Sequence, residues 1–178
     1  MAEQGIPLPV GYRWRIGSAW DRPWVRRGLQ ATLQESFPEQ SNWDHLEETL
    51  DRLFDPPRTP CWWILKEETA EPVGCVWAGI STDQATHRRV AYIFLLWVDP
   101  AHRRQGLGRA LMQQVERWGS QQQLAAITLQ VYRHNQAALH FYQQAHFAVQ
   151  GYWLYKPLSP APIDAHVEEH EYKGHEVL

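Results

Sequence analysis

The chain lacks a strong charge excess, a disulfide framework and a long apolar run. Its 178 residues include 17 basic and 20 acidic side chains, a net charge of −3, so the basic surface typical of nucleic-acid-binding proteins is missing. Cys61 and Cys75 are the only cysteines, and we expect two buried thiols in a reducing compartment. No apolar run approaches the roughly 20 residues that cross a bilayer. We therefore expect no nucleic-acid or membrane partner.

The chain also shows no targeting segment. Its first residues, MAEQGIPLPV, have no basic region followed by an apolar core, so they do not resemble a secretory signal, and we expect a cytoplasmic protein. The length suits one domain. We expect that domain to cover residues 1–158, and residues 159–178, which begin with two prolines among polar residues, to form a loosely ordered extension.

Hydrophobic periodicity predicts a mixed α/β sheet with the element order β-α-α-β-β-β-α-β-α-β. The run VAYIFLLWV, Val90–Val98, is apolar at nearly every position, which is typical of a central strand covered on both faces. The other predicted strands cover 12–16, 61–67, 72–81, 125–131 and 147–158, the last as one strand or a bulged pair around Gly151. The first predicted helix begins at 21–23, runs through Leu33 and stops before Pro38, and the others cover 43–54, 107–118 and 135–144.

A turn rich in arginine and glycine, RRQGLGR, follows the central strand. Backbone amides in such a turn, continued by a helix N-terminus, can bind phosphate. Gly106 and Gly108 would let the main chain approach closely, and Arg103, Arg104 and Arg109 would add charge. Alternatively, the glycines only turn a corner. The residues after the second glycine exclude a P-loop, and the absence of a third glycine excludes the dinucleotide fingerprint.

The turn is part of a longer pattern. It is followed by an amphipathic helix, a strand and a second block, in which Asn135, Ala138, Tyr142 and Phe147 have the spacing N-x-x-A-x-x-x-Y-x-x-x-x-F. The whole pattern resembles the GNAT superfamily of N-acetyltransferases. The second block is similar to that of members that acetylate the N-termini of ribosomal proteins. The resemblance implies the GNAT fold, whose central strands splay apart.

The resemblance also implies acetyl-CoA as the cosubstrate, with no metal. Tyr142 would be the general acid that protonates the leaving CoA thiolate, while the amine attacks the thioester directly. Asn135 would contact the pantetheine arm. The backbone of Leu96, Trp97 and Val98 would pair with that arm, and the pyrophosphate would bind at the turn formed by Arg103, Arg104, Gln105, Gly106, Leu107, Gly108 and Arg109.

The general base is not evident in the sequence. Related members carry a glutamate five residues before the asparagine of the second block, but Gln130 occupies that position, and an amide cannot act as a base. The central strand has no carboxylate either. A water chain, His134, His45 or Glu35 remains open for this role.

The sequence leaves alternatives for the function, for a metal site, for the acceptor and for the oligomeric state. A sensor that binds acyl-CoA without turnover is an alternative function, and the terminal HVEEH segment matches a zinc-peptidase motif, although a chain terminus rarely builds a catalytic metal site. The acceptor would be a small-molecule or peptide amine, and a homodimer is left open. Candidate acceptor-binding residues are Phe37, Glu39, Trp43, Asp44, Asp83 and His87.

Overall fold

A computed structural model describes residues 6–156 and 158 of the chain. It shows five strands, β1 to β5, at Tyr12–Ile16, Cys61–Lys66, Pro72–Thr82, Arg89–Val98 and Ile127–Thr128. Four α-helices, α1 to α4, cover Arg22–Ser36, His45–Leu53, Leu107–Gln121 and Gln136–Gln144. The predicted mixed α/β class and the element order up to α4 are confirmed.

The five strands form one sheet in chain order, β1-β2-β3-β4-β5. Strands β1 to β4 pair with one another in antiparallel fashion, and β5 runs parallel to β4. As predicted for a central strand, β4 is covered on both faces, with every residue after Arg89 buried or half-buried.

The helices cover both faces of the sheet. On one face, α1 and α2 enclose a core that includes Trp63, Trp77 and Trp97. α1 approaches β4 so closely that a Cβ on Gly28 would lie 3.0 Å from Leu95 Cδ2. On the other face lies α3, whose Trp118 packs edge-on against Trp62 of β2 with ring centroids 5.7 Å apart. Because neighbouring strand residues point to opposite faces, Trp62 and Trp63 belong to different layers.

A β-bulge interrupts the pairing of β3 with β4. Trp77 pairs with Leu95 and Ala78 with Ile93, so Phe94 is the additional residue. Phe94 and Leu95 therefore both pack into the core on the α1 and α2 side. A bulge bends its strand and increases the local twist, which turns the end of β4 relative to its neighbour β5.

Two of the predicted strands differ from the structure. The strand predicted at 125–131 is reduced to Ile127–Thr128, because its ladder with β4 ends after the pair Tyr92–Thr128. The strand predicted at 147–158 is wrong, since residues 147–156 and 158 adopt neither helix nor strand. Apolar and aromatic residues favour strands mainly by packing against neighbouring strands, and Tyr152, Trp153, Leu154 and Tyr155 are instead between 73% and 87% exposed.

Of the described residues, 6–146 belong to one compact unit, and 147–156 and 158 belong to another. Both cysteines are buried and free, as predicted. Burial raises the pKa of the Cys75 thiol, which keeps that thiol protonated and unreactive near neutral pH.

Candidate functional site

The glycine turn joins β4 to α3 in a left-handed backbone conformation at two residues. Arg104 has φ +62° and Gly106 has φ +84°. Residues 103–106 are exposed, and α3 begins at Leu107. Left-handed residues within a turn direct consecutive amides toward one concave surface, which can bind an anion.

Gly106 is the N-cap of α3 and supplies no side-chain cap. The first amides of a helix have no acceptor within the helix, so this helix begins with donors that an external anion can satisfy. In contrast, the Asn135 side chain caps α4 by accepting the Ala138 N–H at 3.0 Å. The start of α4 is thus capped by a side chain, whereas the start of α3 is not.

The absence of a side chain at Gly108 matters for helix packing. A Cβ at this position would lie 3.3 Å from Cε2 of Phe141, which is a tight contact. Gly108 therefore lets α4 pack closely on the first turn of α3. Both glycines were expected to let a phosphate approach the main chain, and the structure shows that Gly108 packs against Phe141.

Tyr12 of β1 contacts the turn across 93 residues of sequence. Its hydroxyl donates to Gln105 Oε1 at 2.8 Å and lies 2.8 Å from His102 Nδ1. A hydroxyl can donate one hydrogen bond and accept another, so Tyr12 links both residues to the sheet. Sequence reasoning missed Tyr12, because the alternation of β1 carries no sign of a partner so distant in the chain.

Arg103 binds protein groups on both sides of the turn. Its Nε donates to the carbonyl oxygen of Val98 at 3.0 Å. Its Nη1 donates to Glu35 Oε2 at 3.3 Å, and its Nη2 contacts Glu35 Oε1. Glu35 was a candidate base, but both of its carboxylate oxygens accept hydrogen bonds from Arg103. Arg104 and Arg109 are exposed.

β4 and β5 separate beside the turn, as predicted for splayed strands. Within the described residues their ladder contains two pairs, Ala91–Ile127 and Tyr92–Thr128. Leu96, Trp97 and Val98 lie beyond these pairs, at the end of β4. The Trp97 side chain belongs to the core, so only its backbone is available for strand-like pairing.

Tyr142 lies on α4, on the same helical face as Asn135. The two residues are seven positions apart, close to two full turns. Burial raises the pKa of the Tyr142 hydroxyl to about 12. The phenol therefore stays protonated near neutral pH, as a general acid requires.

A cleft of about 310 Å³ lies between the end of α1 and the start of α4, lined by Glu35, Ser36, His134, Asn135, Gln136 and Ala137. Beside it, the ring of Phe37 packs edge-on against the rings of Tyr132 and His134, with centroid distances of 4.7 Å and 5.7 Å. Tyr132 and His134 stack with ring centroids 5.7 Å apart. The end of α1 and the β5–α4 loop thus combine acidic, aromatic and imidazole groups around one cleft.

Most of the other candidate acceptor residues lie elsewhere. Trp43 is in the core at 6% exposure, with His45 beside it. Asp83 shapes the turn between β3 and β4, where its carboxylate accepts hydrogen bonds from the amide and hydroxyl of Thr86. His87 ends the same turn, with its N–H bonded to Asp83 O at 2.8 Å. The lining of the cleft includes neither Gln130 nor His45.

The described residues contain neither a cluster of metal ligands nor a membrane-spanning helix. Residues 6–156 and 158 contain no group of three or more metal-ligating side chains, and the HVEEH segment lies outside them. No helix in this part of the chain is both long and apolar enough to span a bilayer.

Comparisons with known proteins agree with this geometry. The model of the Acetyltransferase (GNAT) family matches residues 26–147, and GNAT enzymes use acetyl-CoA as cosubstrate. No curated protein sequence matches the chain. Among solved structures, a tetramutant of the BH1408 protein from Bacillus halodurans is 21% identical, covering 82% of this chain and 99% of that one with a TM-score of 0.67.

Two further solved structures carry names that indicate different functions. An aminoglycoside acetyltransferase from an uncultured soil metagenomic sample is 20% identical, covering 84% and 97% of the two chains with a TM-score of 0.64. A transcriptional regulator from Bacillus halodurans C-125 is 16% identical, covering 82% and 99% with a TM-score of 0.65. At these identities the similarity shows the fold alone. Together with the family match over residues 26–147, it establishes that this chain belongs to the GNAT acetyltransferase family.

Proposed function

We propose that this protein transfers an acetyl group from acetyl-CoA to a primary amine. The observation that carries the proposal is the start of α3, where an uncapped helix follows an exposed turn with left-handed residues at 104 and 106. Such a surface fits a pyrophosphate, because its amides need an anionic acceptor and Arg104 and Arg109 add positive charge.

The end of β4 would hold the pantetheine arm. The ladder with β5 stops at Tyr92, so backbone groups of Leu96, Trp97 and Val98 can pair with an extended ligand. When bound, acetyl-CoA supplies a thioester whose carbonyl carbon the amine attacks. A backbone amide at the end of β4 would polarise the carbonyl oxygen.

Tyr142 would act as the general acid of the reaction. The amine forms a C–N bond as the C–S bond breaks, and the phenolic proton of Tyr142 moves to the departing sulfur. A general base takes one proton from the substrate ammonium group before the attack. A second proton leaves the nitrogen once the C–N bond has formed, and solvent returns a proton to Tyr142. Support for this role comes from the position of Tyr142 on the Asn135 face of α4 and from its pKa of about 12.

The cleft between α1 and α4 would receive the amine. The aromatic rings beside it suit a small cationic amine through cation–π attraction, while the Glu35 carboxylate in its lining is paired with Arg103. His134 is the titratable lining residue that does not contact Arg103 in the observed ion pair, so we assign it the role of general base. The aminoglycoside acetyltransferase of similar fold supports a small-molecule acceptor rather than defining it.

An acyl-CoA sensor remains the second candidate. Gln130 replaces the usual strand glutamate, and the candidate carboxylate of Glu35 is bound to Arg103, so neither provides a free base. The structural similarity to a transcriptional regulator is consistent with a role in sensing.

Calorimetric titration with CoA, followed by thiol-release assays with acetyl-CoA, tests the two candidates. The amines would be polyamines, amino acids, aminoglycosides and N-terminal or lysyl peptides. An acetyltransferase binds CoA and releases thiol faster with at least one amine than without any. CoA binding with no amine-dependent release would favour the sensor, and no CoA binding would contradict both.

A further inference from the structure

The Arg103–Glu35 ion pair joins two parts of the molecule that the proposed reaction uses separately. Glu35 is the penultimate residue of α1, next to the amine cleft, and Arg103 begins the phosphate turn 68 residues later. Arg103 also donates to Val98 O at 3.0 Å. One guanidinium group therefore connects α1, the end of β4 and the turn.

This arrangement differs from a phosphate-binding role for Arg103. The planar guanidinium group directs two nitrogens at the Glu35 carboxylate and its Nε at a backbone carbonyl. To bind phosphate in the usual bidentate way, Arg103 would have to release Glu35 and leave a carboxylate near the incoming anion. Within the described residues, Arg104 and Arg109 form no ion pair with a carboxylate, so they can bind the phosphates instead.

The pair also suits the end of a helix. A carboxylate in the last turn of a helix is unfavourable next to the negative end of the helix dipole. Arg103 places a positive charge beside the Glu35 carboxylate and offsets this repulsion. α1 ends at Ser36, which lines the cleft, and Phe37 follows it. The ion pair holds this end of α1 against the turn.

We propose that Arg103 is a positioning residue rather than a phosphate ligand, and that its pair with Glu35 couples CoA binding at the turn to the order of the amine cleft. The coupling rests on the proposed function, because it requires CoA at the turn. CoA bound to the turn steadies Arg103, Arg103 steadies the end of α1, and the amine meets a pre-ordered cleft. A partly exposed pair has a modest effect, about twofold to fivefold in an equilibrium constant.

Hydrogen exchange and calorimetry on the full chain test this inference. The variants are Glu35→Gln, Arg103→Ala and the double variant, with Arg104→Ala as the matched arginine control. Exchange is measured, with and without CoA, for the amides of residues 33–40 other than Pro38, which has none. Glutamine relieves the unfavourable helix-dipole interaction, so faster exchange in Glu35→Gln reports loss of the contact with Arg103.

We expect Glu35→Gln and Arg103→Ala each to speed exchange at 33–40 about twofold to fivefold, with no further change in the double variant. CoA should slow exchange there in the wild type but not in these variants, whose CoA dissociation constants should change less than about threefold. Arg104→Ala should weaken CoA binding about tenfold and leave exchange at 33–40 unchanged.

The opposite pattern would overturn the inference. If Arg103→Ala weakens CoA binding tenfold while Glu35→Gln strengthens it, Arg103 is a phosphate ligand in competition with Glu35. Unequal exchange in the two single variants, or CoA protection that persists in Glu35→Gln, also refutes the coupling. Failure of the wild type to bind CoA refutes the proposed function instead, and exchange without CoA still decides whether the pair orders α1.

Discussion

At the scale of single residues, burial and hydrogen bonding decide which side chains can take part in chemistry. Tyr142 illustrates the effect, because burial holds its pKa near 12 and the phenol remains a proton donor. Glu35 illustrates it differently, because both oxygens of its carboxylate are bound by Arg103. A residue type in the right sequence position is thus only a candidate until its neighbours are known.

We expect Tyr142→Phe to lower kcat about 100-fold without changing the CoA dissociation constant, because it removes the proposed proton donor and keeps the aromatic ring. With a pKa of about 12, Tyr142 should cause no loss of wild-type kcat between about pH 6 and pH 10. Steady-state kinetics and calorimetry measure the two effects. Tyr152→Phe is the control, since Tyr152 is 83% exposed; a kcat of Tyr142→Phe within threefold of wild type would exclude the acid role.

Asp21 provides a residue-scale test of stability. It is 5% exposed and accepts two hydrogen bonds from Arg15, at 2.9 and 2.6 Å, and one from the Ser18 amide at 2.7 Å. Burial alone would raise the pKa of Asp21, but these hydrogen bonds outweigh it and lower that pKa. The ionised carboxylate therefore stabilises the folded state, and this contribution is lost as the pH falls through the folded-state pKa.

We expect Asp21→Asn to lower the free energy of unfolding by about 2 kcal/mol at pH 6, less than for a fully buried pair because Arg15 is partly exposed. The difference from wild type should shrink at a second, lower pH, below the lowered pKa of Asp21, where the carboxylate itself becomes protonated. Urea unfolding at both pH values measures it. Asp51→Asn is the matched control at an exposed ion pair, and an equal loss in the two variants would contradict the expectation.

At the scale of elements, close packing explains glycines that sequence patterns cannot explain. Gly17 follows β1 at a point where its amide donates to Cys61 O at 2.8 Å. A Cβ there would lie 2.1 Å from Cys61 Sγ, far inside van der Waals contact. In contrast, a Cβ on Gly119 in α3 would meet nothing within 4 Å.

These two glycines should respond oppositely to the same substitution. Gly17→Ala should destabilise the protein by about 1–3 kcal/mol through overpacking, whereas Gly119→Ala should stabilise it by about 0.5–1 kcal/mol through helix propensity and chain entropy. Thermal and urea unfolding of both variants provide the comparison. Stabilisation by Gly17→Ala would show that β1 and β2 can move apart at this point.

Strong local patterns predicted most elements correctly, and weaker ones failed where tertiary contacts decide. The continuous apolarity of β4 and the amphipathic pattern of α3 are visible in the sequence because both elements are buried along their length. β5 is short because its ladder with β4 ends at the pair Tyr92–Thr128, just before the bulge at Phe94. No local sequence pattern encodes where that ladder ends. The aromatic run at 152–155 has high strand propensity but adopts no strand.

In the candidate site, too, the residues that belong to sequence motifs could be predicted, and those brought together by long-range contacts could not. The phosphate turn and Tyr142 belong to motifs with fixed spacing, so their chain positions could be named from sequence. Tyr12 and the Glu35–Arg103 pair could not, because their contacts span 68 to 93 residues. Such contacts follow from the arrangement of the whole sheet.

At the scale of the whole molecule, the sheet brings its first strand to the turn. β1 is the edge strand farthest from β5 in the sheet order, yet Tyr12 reaches His102 and Gln105. The conformation of the turn therefore depends on the assembled fold. A change in β1 should be detectable in ligand binding at α3.

We expect Tyr12→Phe to weaken CoA binding about fivefold, since it removes hydrogen bonds worth about 1 kcal/mol net that hold Gln105 and His102. Calorimetric titration with CoA measures the effect. Tyr155→Phe is the control, because Tyr155 is 77% exposed. Equal CoA affinity in Tyr12→Phe and wild type would show that the turn holds its shape without the sheet.

The glycine at the start of α3 has a consequence for how this fold is completed. Asn135 closes α4 from within the chain, but Gly106 leaves α3 to be closed from outside. A residue that capped α3 itself would make the empty protein more stable and compete with the ligand for the same amides. An uncapped start of α3 thus favours anion binding at the expense of intrinsic stability, and CoA bound at the proposed site would act as the missing cap of the helix.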